Sequence, residues 1–110
     1  MAKALELKLT SAGFTVDVAF DGQDALQKIR KNQYDLILLD LIMPKVDGFE
    51  VLKKIKTTDS LKSVPVIIFS NLGQKEDIEK AKSLGAEDFL IKANFTLDDV
   101  VAKINGLVAK

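Results

Sequence analysis

Leu36-Ile37-Leu38-Leu39-Asp40-Leu41-Ile42-Met43-Pro44-Lys45-Val46-Asp47-Gly48 is the stretch that decides the reading of this chain. An unbroken apolar run stops at one carboxylate, and a segment with Pro and Gly follows. Apolar runs that do not alternate predict a strand buried on both faces, the habit of parallel sheets. In open α/β folds, ligands bind outside the carboxyl ends of such strands. Asp40 therefore stands where a carboxylate can do chemistry.

Working outward, Val64-Pro65-Val66-Ile67-Ile68-Phe69-Ser70 predicts a second buried strand, with Pro65 tolerable at its start. Asp88-Phe89-Leu90-Ile91-Lys92 predicts a last, short strand, and the alternating Thr15–Phe20 predicts a first one. Helices lie between them. Ala4, Leu5, Leu7, Leu9 and Ala12 sit among good helix formers that begin at residue 2 and stop at Gly13. Asp21 is placed to cap a helix with the stripe Ala25, Leu26 and Ile29. Phe49, Val51, Leu52 and Ile55 mark the next, starting near Gly48, and Lys75–Leu84 another, ended by Gly85. Thr96 with Asp99 forms a capping box opening a final helix through Val100, Val101, Ile104, Leu107 and Val108, weakened in its last turn by Gly106. A helix followed by strand–helix four times over predicts an α/β fold, a doubly wound parallel sheet with helices on both faces.

Asp40, Ser70 and Lys92 close three of these strands. In a parallel sheet all three project from one edge. A carboxylate, a hydroxyl and an ammonium gathered there suit a phosphoryl group. Asp40 would accept it, and Lys92 and Ser70 would bind its oxygens.

The totals narrow the classes. The chain has 110 residues, 47% hydrophobic and 29% charged, which fits one soluble globular domain over 1–110. Basic and acidic residues balance at 16 each, so charge argues for neither nucleic acid nor an anionic membrane. With no His and no Cys, imidazole and thiolate chemistry, zinc-thiolate sites and disulfides are excluded. That cysteine usage fits the cytoplasm. No segment reaches the length of a membrane span, and the start lacks a signal-peptide core.

The chain closely resembles the receiver domain of two-component response regulators, of the chemotaxis-regulator kind, throughout its length. Asp40–Gly48 matches the family's phosphoacceptor motif, Ser70 its hydroxyl position, Lys92 its lysine, and Phe89 its aromatic switch position three residues earlier. The resemblance implies a flavodoxin-like fold with strand order 2-1-3-4-5. It implies that Asp40 takes a phosphoryl group from the phosphohistidine of a histidine kinase or phosphotransfer protein. The main-chain carbonyl of Ile42 would join Asp40 at Mg²⁺, and Ser70 and Phe89 would move inward on phosphorylation. Ile42 and Leu72 fall where side chains tune dephosphorylation; both are apolar, so slow loss of the phosphoryl group is expected.

The sequence departs from the family at its front. It opens one strand late, without the adjacent acidic pair that holds Mg²⁺. It thus reads as a truncated receiver with four strands and five helices, missing the central strand. Asp40 alone would hold Mg²⁺ weakly, so impaired phosphorylation is expected. A bare Ile/Leu edge would favour a homo-oligomer; the alternatives are that the first strand slides over to pair with Leu36–Asp40 or that a separate peptide supplies the strand. Lys92-Ala93 replaces the family's usual Lys-Pro, so a trans bond or a rearranged loop is expected. Two classes of function remain. One is a phospho-switch binding module without small-molecule turnover, so not an enzyme, acting through partner docking. The other is a phosphorylation-independent interaction or assembly fragment. A haloacid-dehalogenase reading fails because Ile42 stands where a second Asp is needed, and no nucleotide-loop motif is present.

Overall fold

Every predicted helix forms, and three of the four predicted strands pair. The structure, a computed structural model, describes residues 2–19, 21–41, 48–71 and 74–108. In chain order the elements are α1 (Ala2–Ser11), α2 (Gly22–Lys31), β1 (Ile37–Leu39), α3 (Gly48–Thr57), β2 (Val66–Ser70), α4 (Lys75–Ser83), β3 (Asp88–Ile91) and α5 (Leu97–Val108), with a 3₁₀ turn over Lys92–Asn94. The contacts define two compact units, one holding α1 and α5, the other running from Ala19 to Asn94.

In the larger unit the sheet is parallel, in the order β1-β2-β3. Leu39 lies opposite Ile68, and Ser70 opposite Ile91. All five residues of β2 are buried, as an unalternating apolar run requires when the strand has neighbours on both edges. Val66 and Ile68 join Val51, Leu52 and Ile55 of α3, Ile29 of α2 and Leu39 of β1 in one core. The predicted stripes are the observed ones: Ala25 and Leu26 pack against that core beside Ile29, and Phe49 beside the buried face of α3. Asp21 caps α2, its carboxylate accepting the Asp24 N–H at 2.9 Å.

Lys53 and Lys54 are exposed, as a wet helix face predicts, but Lys56 is not part of that face. Its ammonium donates to the carbonyls of Val64 (2.8 Å) and Lys62 (3.2 Å), pinning the segment that leads into β2. Partial burial lowers its pKa, and the charge of Glu87 opposes that shift.

The structure corrects the sequence at Thr15–Phe20. Residues 14–19 join no β-ladder, and Phe20 lies outside the described residues. The alternation itself is present: Thr15 and Asp17 are exposed while Val16 and Val18 are half-buried. Alternation reports side-chain burial, whereas a strand also needs a neighbouring backbone in register. The described sheet accordingly has three strands and not four.

In the smaller unit α1 packs on α5. Leu5, Leu9, Val100 and Ile104 are buried, and Leu7 is 60% exposed on the other side of α1. Lys8 and Asp98 pair at 2.7 Å, a surface contact of small energetic weight. The glycine stops at Gly13 and Gly85 have φ of 98° and 105°. After each, an amide reaches back five residues, Phe14 to Leu9 and Ala86 to Ala81, both at 3.0 Å. The capping box forms in both directions. Thr96 N–H donates to Asp99 Oδ2 at 2.9 Å, and Asp99 N–H donates to Thr96 Oγ1 at 3.1 Å.

Hydrogen bonding from Thr96, first its N–H and then its hydroxyl, holds the Asp99 carboxyl below its ordinary 3.8. A depressed carboxyl contributes fully above its unfolded pKa, and the contribution fades as pH falls through the folded value. Circular dichroism under mild denaturation should show helix content falling below about pH 4, and Asp99→Asn should flatten that acid limb. A Cβ on Gly48 would sit 2.8 Å from the Asp40 carbonyl oxygen and closer still to the Leu41 Cα, whereas one on Gly106 meets nothing within 4 Å. Gly48→Ala should lower stability by about 1–3 kcal/mol, and Gly106→Ala should raise it by about 1 kcal/mol through helix propensity. Denaturant melts of the two variants check both signs.

Candidate functional site

Asp40 is the first residue past β1, and α3 starts against it. The Gly48 N–H donates to the Leu41 carbonyl at 3.3 Å, and the bare Cα of Gly48 lets α3 approach the Asp40–Leu41 backbone. The close approach explains why the motif ends in glycine: a side chain there would collide with the backbone that carries the carboxylate.

Lys92 comes from the far side of the sheet. β1 and β3 are both neighbours of β2 and not of each other. Two strand spacings, roughly 9–10 Å, separate them. A lysine stem can cross that gap, and it does: Lys92 Nζ lies 2.6 Å from Asp40 Oδ2. The side chains are 20% and 32% exposed, so the pair is largely withdrawn from solvent yet reachable. The ammonium also stands 5.6 Å from the centroid of the Phe69 ring, within cation–π range.

Ser70 closes β2, the strand between, and is completely buried. Among the described residues no buried side-chain nitrogen or oxygen lacks a hydrogen-bond partner. Phe89 is half-buried on β3 and packs against the core cluster.

The structure therefore brings Asp40 and Lys92 into direct contact and places Ser70 at the end of the intervening strand. Lys92 is not the last residue of β3, as expected, but the first of the 3₁₀ turn that follows. The described residues contain no cis peptide bond, in line with the trans bond expected at Lys92-Ala93. Ile42 and Leu72, expected to line this site, lie outside the described residues. Phe69 and the bracing role of Gly48 were not foreseen. Position on the central strand just before Ser70 was the available signal for Phe69. Nothing in one sequence announces the Gly48 contact.

Comparison with known proteins gives the class. The sequence pattern of the response regulator receiver domain matches residues 1–105. The chain belongs to that family, and it is a receiver domain of two-component signalling with the flavodoxin-like fold. It is 34% identical over 110 residues to the response regulator ArlR of Staphylococcus aureus, covering all of this chain and 48% of that protein. A Francisella response regulator receiver domain superposes with a TM-score of 0.88 at 34% identity, over 98% of this chain and 87% of the other. The receiver domain of a Pseudomonas aeruginosa PAO1 sensor histidine kinase, solved with magnesium coordinated in its active-site cleft, superposes at 0.87 with 25% identity, over 99% and 88%. The chain spans half or less of the curated relatives it matches. Among the described residues no helix is long and apolar enough to cross a membrane.

The described donor set does not by itself fit Mg²⁺. That ion wants several hard oxygens in octahedral order. Among the described residues no group of three or more His, Cys, Asp or Glu gathers at one place. Asp40 supplies one carboxylate, with an ammonium already on it.

The ion pair is directly testable. A double-mutant cycle of Asp40→Asn and Lys92→Met should give a coupling of about 1 kcal/mol, at the upper end of what exposed pairs show because this one is largely buried. Urea melts of the four proteins measure it.

Proposed function

We propose that this receiver domain is a phosphoacceptor module in which Asp40 takes the phosphoryl group. The observation that carries the reading is the 2.6 Å contact from Lys92 across the end of β2 to Asp40. A surface lysine would have no reason to span a strand; a cation placed to meet charge arriving on a carboxylate would.

In the proposed step a carboxylate oxygen of Asp40 attacks the phosphorus of a phosphohistidine. The phosphorus–nitrogen bond breaks, its electron pair goes to the leaving imidazole, which takes a proton from solvent, and an acyl phosphate remains on Asp40. Lys92 turns from the carboxylate toward the phosphoryl oxygens, and the Ser70 hydroxyl donates to one of them. Phe89, on β3 and packed against the core, is the aromatic whose position would report the change. The donor partner is a histidine kinase or phosphotransfer protein, and the output is partner docking without small-molecule turnover. A cytoplasmic setting goes with both. Because the described metal donors are so few, we expect Mg²⁺ to be held weakly and phosphorylation to be slow.

A second reading is favoured by that same sparse donor set and by the place of β1 at the end of the sheet order. In it the chain is a phosphorylation-independent assembly module, pairing with a second copy along the β1 edge.

Incubation with acetyl phosphate, with and without Mg²⁺, separates the two. We expect slow addition of one phosphoryl mass at Asp40, abolished by Asp40→Asn and slowed about 10²-fold by Lys92→Ala. No addition under any condition, with a dimer by light scattering, would leave the second reading.

A further inference from the structure

A cavity of about 230 Å³ opens between α2, α3 and the turn that follows α3, away from Asp40 and Lys92. Leu26, Ile29 and Leu61 contribute apolar surface, and Ile29 and Leu61 are only 8% and 7% exposed. Arg30 and Lys54 stand on it, with the hydroxyl residues Thr58 and Ser60, and no carboxylate lines it. Both cations are exposed, and no ion pair engages either among the described residues. Asp59, the acid between the two hydroxyls, is 96% exposed and pairs outward with Lys62 at 3.4 Å.

Cations in the last turn of a helix answer its dipole, and Arg30 and Lys54 both sit near helix C-termini. The dipole accounts for their sign. It does not account for two cations from different helices, neither in an ion pair among the described residues, lining one cavity. The volume is below the range that takes a drug-sized ligand, so the floor suits a single apolar side chain. A guanidinium and an ammonium beside it suit carboxylates, Arg most of all through its planar fork. Nucleic acid fits less well, since the chain carries no net positive charge and the cavity is no extended track.

We propose that this cavity receives one apolar side chain flanked by carboxylates, presented by an acidic segment of a partner protein. The site is separate from the phosphoacceptor and does not depend on the chemistry assigned to Asp40.

Titration of the isotope-labelled chain with the blocked peptide acetyl-Glu-Leu-Glu-Glu-amide tests it by nuclear magnetic resonance. Saturable shifts of the Leu26, Ile29 and Leu61 amides are expected. Arg30→Glu combined with Lys54→Glu should weaken binding about tenfold, and so should replacing the peptide's glutamates with glutamines. Both substituted side chains are exposed, so the variant should keep the remaining spectrum of the parent, which verifies folding. Absence of shifts at these residues would overturn the proposal, as would saturation that survives charge reversal. Equal shifts from inorganic phosphate or a short DNA duplex would overturn the assignment to an acidic peptide.

Discussion

The full burial of β2 is the constraint on which the rest depends. A strand with every residue inside has to be covered on both faces and paired on both edges, because unpaired buried amides are costly. Parallel neighbours β1 and β3 meet the second demand. They also set the site. With all three strands running the same way, their carboxyl ends share one edge, and Asp40, Ser70 and Lys92 are delivered there by topology. The lysine has to be long because the strand that keeps the sheet together stands between it and its carboxylate.

Much of this was legible in the residues. The wholly apolar Val66–Phe69, the two glycine stops and the Thr96–Asp99 box each have a local physical cause, and each appears as read. The apolar run ending at Asp40 forms a strand over Ile37–Leu39, but Ile37 and Leu38 are only half-buried, not enclosed on both faces as the run predicts. The site partners were legible because strand ends in a parallel sheet must converge. What failed was of another kind. Thr15–Phe20 has the right side chains for a strand, but pairing is a property of two segments, and one segment cannot reveal whether its neighbour is in place. Lys56 has no local mark that separates it from the exposed Lys53 and Lys54; its reach to two carbonyl oxygens depends on how the following turn folds back. Phe69 under the ammonium and Gly48 against Asp40 are likewise contacts across elements, without local signature.

Family membership and metal chemistry are separate questions for this chain. The receiver fold is carried by apolar patterning over its whole length, which tolerates many substitutions. A divalent ion is instead held by a few oxygens whose number and placement leave little slack. A receiver can thus be unmistakable as a fold while its described residues offer one carboxylate and one cation for the chemistry.

The bond from the Gly48 amide to the Leu41 carbonyl has a further implication. It fixes the first residue of α3 to the backbone beside Asp40, so that carboxylate and the start of the helix are carried as one piece.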